Sequence, residues 1–434
     1  MSHALPSRPA PPKASPPGAR RGGRWSRTVR HLAATVALAT GAALAGPGTA
    51  GASAAAPPEA RATAALQRIA SFGANPGGLN MYVYRPAALP ANAPVVVALH
   101  GCTQSAQVYS DNAGLNTFAD RHGFLVVYAE TTTVNNANKC FNWFQPGDTR
   151  RGQGEAASIR QMIAHAATAY GTDPGRARVT GLSAGGAMTS AMLAAYPDVF
   201  AAGAVVAGIP YGCAVDVVSA FGCMSPGADR APAAWAQAVR DAHPGFAGPW
   251  PRVAIWHGDN DATVAPRNAD ELRDQWTAVH GLGQTPDRTS TIGPNSTRRS
   301  EYPAADGRSV VEVYRVPGIG HGTPVDPGSG AEQCGATGTQ HFIDSICSGH
   351  WITRFFGLDG TTVPEPPVDP PTEPATCWTA NNYEHVRAGR ATTTGGQVYA
   401  KGSGQHLGLY NTFVTHTLKE SPAGHYVLAD SSCP

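Results

Sequence analysis

The sequence predicts a three-layer α/β sandwich built on a mostly parallel sheet, followed by a small β-rich domain. Three observations carry this. Upstream of residue 358, apolar runs of strand length alternate with helical segments. Ala93–Leu99 precedes Leu115–His122, Phe124–Tyr128 precedes Gly154–Tyr170, and Val179–Gly181 precedes Ala184–Ala195. Further strands are expected at Ala201–Ala207, Val253–Trp256 and Val310–Val316, with a closing helix near His350–Phe356. Strands that are apolar throughout are buried on both faces, which requires helices on either side of a parallel sheet. Second, Leu358–Thr376 reads LDGTTVPEPPVDPPTEPAT; proline fixes φ and removes donors, so this tract is a stiff spacer. Third, Cys377–Cys433 lacks a long amphipathic helix and shows short Tyr/Val/Thr/Phe runs at Gln397–Ala400, Thr412–Leu418 and Tyr426–Ala429, punctuated by Gly and Asn.

The amino end is set aside from the fold. Arg20, Arg21, Arg24, Arg27 and Arg30 precede an uncharged apolar run, Leu32–Ala45, and then small residues ending in Ala52-Ser-Ala54. Basic, apolar, then A-x-A-like is a secretory signal over residues 1–56, and the apolar run is too short for a bilayer anchor. The residues after Arg20-Arg21 fit a twin-arginine signal poorly, so general secretion with cleavage near Ala54–Ala56 is expected. The boundaries that follow are 57–357 for the large domain, 358–376 for the linker and 377–434 for the small one. Residues 1–56 hold seven basic and no acidic residues, so their removal takes the formal charge from +2 to about −5. With 14% charged residues there is no polyanion-binding signature, and neutral or apolar partners are expected. No nucleic acid, membrane or second subunit is called for.

All eight cysteines, Cys102, Cys140, Cys213, Cys223, Cys334, Cys347, Cys377 and Cys433, fall in the exported part, which makes four disulfides the default. Connectivity is not fixed by sequence; nearest-neighbour pairing gives 102–140, 213–223, 334–347 and 377–433. Zinc is the weaker alternative, because no C-x-x-C pair occurs.

The chemistry centres on Arg178-Val-Thr-Gly-Leu-Ser-Ala-Gly-Gly-Ala187. A β-branched run enters a G-x-S-x-G core and leaves into a helix-forming segment, the layout of a nucleophile elbow around Ser183. A chance Gly/Ser turn is the bland alternative in a chain with 50 Gly. Serine needs a base to take its proton and a carboxylate to orient that base. Behind such an elbow the acid follows the serine, and the histidine follows the acid. After Val253–Trp256 comes His257-Gly-Asp-Asn-Asp-Ala-Thr-Val264, where Asp259 suits the turn and Asp261, three residues before Val264, suits the acid. Both are also residue types that simply make turns. His321, between glycines just past the strand at Glu312–Val316, stands in the right order for the base, ahead of His257, and of His341 and His350, which are expected to be surface or packing residues. The early strand ending in His100-Gly-Cys-Thr-Gln104 supplies one oxyanion donor, so the backbone N–H groups of Cys102 and Ala184 are the expected pair. A Cys102–Cys140 bond would bring Trp143 beside that loop as an apolar wall of the acyl or alcohol subsite; a buried structural tryptophan is the alternative.

Together His100-Gly-Cys-Thr-Gln104, Cys140-Phe-Asn-Trp143, Gly181-Leu-Ser-Ala-Gly-Gly-Ala-Met188, Ala207-Gly-Ile-Pro-Tyr211 and Gly320-His-Gly-Thr-Pro-Val-Asp326 resemble the poly(3-hydroxybutyrate) depolymerase family of esterases, from about Ala65 to Leu358. The resemblance implies an α/β-hydrolase fold in the non-permuted, type I order, and carries Ser, Asp and His onto Ser183, Asp261 and His321. The tail, through Cys377-Trp-Thr-Ala-Asn-Asn-Tyr-Glu-His385, Ala388-Gly-Arg-Ala391 and Gly408-Leu-Tyr-Asn-Thr-Phe-Val-Thr-His-Thr-Leu418, resembles the substrate-binding domain of extracellular polyhydroxyalkanoate depolymerases. The short Pro/Thr linker departs from the longer linkers of many such proteins. The expected activity is a secreted, cofactor-free, metal-free, monomeric hydrolase of solid short-chain polyester. Its rivals are a feruloyl or acetyl-xylan esterase and a surface-binding protein on a dead hydrolase scaffold.

Overall fold

The computed structural model describes residues 66–360, 377–420 and 426–430. The expected secretory signal, most of the expected linker and Cys433 lie outside the described residues. The chain runs β1 (Gln67–Ile69), β2 (Asn80–Tyr84), β3 (Val95–Leu99), α1 (Ala106–Asn112), α2 (Leu115–His122), β4 (Leu125–Glu130), α3 (Pro146–Thr149), α4 (Gly154–Tyr170), β5 (Ala177–Leu182) and α5 (Ala184–Ala195). It continues through β6 (Phe200–Val206), α6 (Val217–Met224), α7 (Pro232–Ala242), β7 (Arg252–Gly258), α8 (Arg267–Val279), β8 (Arg288–Ile292), β9 (Thr297–Pro303), β10 (Ser309–Val316), β11 (Thr323–Val325), β12 (Phe342–Asp344) and α9 (Ser348–Phe355).

Among the described residues one ten-stranded sheet has the order β1-β2-β4-β3-β5-β6-β7-β10-β9-β8. Neighbours from β4 to β10 pair in parallel, and the outer strands pair antiparallel. The pleat sorts each central strand between two cores. Val95, Val97 and Leu99 of β3, with Leu125 and Val127 of β4, pack against Ile159 and Met162 of α4, Met188 and Met192 of α5 and Trp276 of α8. Val96, Ala98, Val126 and Tyr128 face the opposite way, onto Tyr109 of α1, Phe118 of α2 and Ile352 of α9. This is the three-layer sandwich the apolar runs implied.

The sequence reading missed the antiparallel edges and the helices between β6 and β8. β8 reads RTSTI and is exposed along most of its length, so it carries no apolar signal. The β9–β10 pairing is held partly by ions: Arg299 donates to Glu312 at 2.6 and 3.0 Å and lies 2.8 Å from Glu301.

The tail holds β13 (Cys377–Asn381), α10 (Asn382–Arg387), β14 (Ala391–Thr394), β15 (Gln397–Ala400), β16 (His406–Leu409), β17 (Thr415–Glu420) and β18 (Tyr426–Leu428). They form two three-stranded sheets, β13-β17-β18 and β14-β15-β16. A small core of Ala391, Val398, Ala400, Leu407 and Leu418 lies between them. Buried Asn382 stitches the interior by donating to the carbonyls of Leu407 and Leu409 at 2.7 and 3.0 Å.

Disulfides join Cys102 to Cys140, Cys213 to Cys223 and Cys334 to Cys347. Cys377 is also disulfide-bonded.

One buried acid is conspicuous. Glu155, in the first turn of α4, has no exposed surface. Its Oε2 accepts from the Asn142 N–H at 2.7 Å, and the Thr131 hydroxyl lies beside the carboxyl. Burial pushes its pKa up from 4.5 to about 8, although the Asn142 hydrogen bond pulls the other way. A carboxyl whose folded pKa is raised costs stability as pH climbs from the unfolded value to the folded one. Glu155→Gln keeps the acceptor and offers Thr131 a donor. Relative to the parent, thermal melts of the variant should show a gain of a few kcal/mol above pH 8 that shrinks to nothing below about pH 4.5.

Candidate active site

The site begins with a steric requirement. Ser183 sits between β5 and α5 with φ 57° and ψ −117°, a backbone that a non-glycine residue adopts only under constraint. A Cβ on Gly181 would lie 2.5 Å from the Gly185 carbonyl carbon, and one on Gly185 would strike the carbonyl oxygens of Leu99 and His100. The two glycines therefore let β3, β5 and α5 meet backbone to backbone. The Ser183 N–H donates to the Val206 carbonyl of β6 at 2.9 Å, and its own carbonyl accepts from Ala187 at 2.8 Å. Pinned on both sides, the side chain stands at the sheet's carboxyl edge.

The acid and base loops are laced together by their backbones. The N–H groups of Asp259 and Asn260, after β7, donate to the carbonyls of Val316 and Ile319, after β10, each at 3.0 Å. Asp261 is buried behind this lacing, whereas Asp259 is exposed in the turn. The His321 Nδ1–H donates to Asp261 Oδ2 at 2.7 Å. Asp261 Oδ1 accepts from the Thr263 and Val264 N–H groups, both at 2.9 Å. Burial alone would raise this carboxyl's pKa; hydrogen bonds from His257, His321 and the Val264 backbone outweigh it and hold Asp261 well below the usual range. It is a fixed anion whose best partner is the His321 ring.

Ser183 and His321 line one cavity of about 380 Å³. Gly101, Cys102, Trp143, Phe144, Leu182, Ala184, Ile209 and the inner face of α6 complete most of its wall. Trp143 stands there edge-on to Phe144, ring centroids 5.5 Å apart. Neither the Cys102 nor the Ala184 backbone N–H has a hydrogen-bond partner among the described residues. Both are free to meet an anion in the cavity. The loop carrying Cys102 is braced by its neighbours: Gly101 N–H donates to Gln104 Oε1 at 2.9 Å and Thr103 N–H to the Asn138 carbonyl at 2.7 Å.

Three histidines that the sequence reading did not use prove structural to this site. His100, buried, donates from Nδ1 to the Gly101 carbonyl at 2.7 Å while Nε2 accepts from Thr131 N–H at 3.3 Å. Burial depresses its pKa to about 4, so it stays neutral under the oxyanion loop. His257 donates from Nε2 to the Val264 carbonyl at 2.9 Å, with Asp261 Oδ2 3.4 Å away, which steadies the acid from behind. His341 lines the cavity and was expected to be a surface or packing residue; its Nδ1–H donates to the His321 carbonyl at 3.1 Å. It is reached by a left-handed turn (φ 70°) inside the Cys334–Cys347 loop, which nothing in its sequence neighbourhood signals. His350 packs beside Phe118, as expected, with ring centroids 5.8 Å apart. Among the described residues no group of three or more His, Cys, Asp or Glu side chains is arranged to hold a metal.

A strained serine, a histidine oriented by a buried carboxylate and two unused N–H donors around one apolar cavity define the equipment of an α/β-hydrolase ester hydrolase. Residues 79–298 match the family model described as Esterase PHB depolymerase, and the chain belongs to that family. It is 50% identical over 296 residues to poly(3-hydroxyalkanoate) depolymerase C of Paucimonas lemoignei, covering 68% of this chain and 71% of that protein. It is 38% identical to an acetylxylan esterase of Coprinopsis cinerea over 60% of this chain and 69% of the other. Among solved structures it is similar to an acetyl xylan esterase from Aspergillus awamori, with 27% identity, TM-score 0.57, and coverage of 68% of this chain and 99% of that one. The protein is a carboxylic ester hydrolase.

The Asp261–His321 bond generates a sharp expectation. Asp261→Asn preserves shape but offers no negative charge to the imidazolium. Turnover of a soluble ester should fall about 10³–10⁴-fold, with an unchanged circular dichroism spectrum.

Proposed function

We propose that the protein is a secreted serine esterase that hydrolyses poly(3-hydroxybutyrate) or a related short-chain polyhydroxyalkanoate through an acyl-enzyme. The observation that carries this reading is the apolar cavity uniting Ser183 and His321 with two unengaged N–H donors. Ser183 Oγ attacks the ester carbonyl as His321 Nε2 takes its proton. Asp261 stabilises the imidazolium, and the Cys102 and Ala184 N–H groups hold the oxyanion. His321 then protonates the departing alkoxide. Water, activated by the same ring, hydrolyses the acyl-enzyme and frees the hydroxyacid.

In this reading residues 1–56 direct export, 57–357 carry catalysis, 358–376 tether and 377–434 bind polymer. The disulfides fit an oxidising destination. Support for binding by the tail comes from its exposed aromatics. Tyr383 and Tyr410 stand with ring centroids 5.6 Å apart. Asn411 connects them to Phe413: its carbonyl accepts from Tyr383 N–H, and its Oδ1 accepts from Phe413 N–H at 2.9 Å. Phe413 is thereby presented to solvent, 89% exposed, with Leu409 exposed nearby in sequence. A folded domain spends apolar surface in this way where it meets an apolar partner. Tethering then raises the ester concentration met by the cavity.

The polyester is preferred over plant cell-wall esters because the 50%-identical relative is named for polyhydroxyalkanoate, while those named for xylan or ferulate are 38% identical or less. Clearing of a poly(3-hydroxybutyrate) suspension, run beside ferulate and acetate release from xylan, tests the choice; activity confined to xylan would reverse it. Ser183→Ala should abolish turnover and fluorophosphonate labelling yet leave binding to polymer granules unchanged. Tyr410→Ser combined with Phe413→Ser should lower granule binding several-fold while soluble-ester turnover persists.

A further inference from the structure

Among the described residues upstream of 358, every strongly exposed large apolar side chain lies on one of two segments, and both border the cavity. Val215, Val217, Val218 and Phe221 lie on and just before α6; Val218 is 79% and Phe221 67% exposed. Val134, 94% exposed, lies in the loop whose Asn136 and Asn138 also line the cavity.

Neither segment is loose. α6 is closed at its start by a reciprocal cap between Asp216 and Ser219 and is tied by the Cys213–Cys223 disulfide. Its inner residues Ala220 and Cys223 pack with Ile209, Trp235 and Val264. The Val134 loop ends in the Cys102–Cys140 disulfide, and within it Lys139 N–H donates to the Asn136 carbonyl at 2.8 Å. Valines held rigidly outward cannot bury themselves by local collapse, so their apolar area is available to a partner.

The charge on these lips narrows the partner. Residues 213–224 contain one ionisable side chain besides the bonded cysteines, Asp216, whose carboxylate is engaged by the cap; residues 131–140 contain one, Lys139. An acidic ligand would find a single cation, Lys139, and a basic one only the capped Asp216, whereas an uncharged aliphatic chain needs neither to settle there.

We propose that the two disulfide-pinned lips form a second polyester-contacting face, which seats the main chain of the solid substrate at the cavity mouth after the tail has adsorbed. The inference rests on the polyester reading above and divides labour within it. The tail sets how much enzyme is on the surface; the lips set how often an adsorbed enzyme engages a scissile ester.

The test uses the full chain with Val134→Thr, Val215→Thr and Val218→Thr combined. These residues lie outside the cavity wall, and threonine keeps the β-branched shape while making the surface polar. Three assays are compared with the parent: soluble short-chain ester turnover, the adsorption isotherm on polymer granules, and hydrolysis of a poly(3-hydroxybutyrate) film at matched bound enzyme. The expected result is film hydrolysis lowered roughly tenfold, with the other two within about twofold. Film hydrolysis at parental rate would overturn the proposal. So would a parallel fall in adsorption, which would make the lips part of the adsorption surface. A parallel fall on soluble ester would assign them to the fold of the cavity, and a parental dimer that the variant loses would assign them to self-association. If the parent itself leaves every polyester film untouched, the substrate reading fails instead.

Discussion

The end of β3 lies so close to the start of α5 that no side chain fits between them, and this contact organises the active end of the molecule. It requires Gly181 and Gly185, and it leaves Ser183 no relaxed backbone. A left-handed non-glycine residue costs about 1–3 kcal/mol, which is repaid by the surrounding sheet rather than locally. The same contact brings the Leu99–His100 carbonyls against Gly185, so the loop following β3 must pass directly over the serine. The two unengaged N–H groups and the serine are therefore products of one packing event, not two independently placed features.

The electrostatics follow a complementary rule: Asp261 keeps its charge, whereas burial favours the neutral forms of His100 and Glu155. Asp261 retains its charge because donors from His257, Thr263, Val264 and His321 converge on it despite burial. His100, given one donor and one acceptor, is held neutral. Glu155, with a single donor, resolves its burial by keeping its proton to about pH 8.

How legible the molecule was in its sequence tracks how local each constraint is. The elbow could be read because glycine is needed at fixed offsets from the serine, and the central strands because burial on both faces forces unbroken apolar runs. Asp261 and His321, which the structure joins by a hydrogen bond, were picked out by order and by their positions just past strands. β8 and β9 left no such trace, since an edge strand faces solvent and pairs through its backbone and through ions such as Arg299–Glu312. His257 and His341 escaped for a different reason: each acts through a contact set by tertiary placement, with Val264 and Asp261 in one case and the His321 carbonyl in the other. The left-handed turn that delivers His341 falls on the histidine itself, where a glycine would have given a clearer warning.

On the proposed polyester reading, the disulfides bear on how the site would meet a solid substrate. Cys102–Cys140 and Cys213–Cys223 each pin a segment bordering the cavity, and Cys334–Cys347 closes the loop from which His341 reaches the base. A hydrolase acting on a dissolved ester can let such loops move, because a small substrate diffuses in while they are open. An enzyme working against a solid cannot bring the polymer deep into its interior, and loops that folded over an apolar mouth would bury the contact surface they need. Cross-links that constrain the loops without filling the mouth resolve this, since they limit the collapsed alternatives and leave the apolar rim outward. The cost is borne as exposed valine and phenylalanine, which a protein with no use for them would be expected to have hidden.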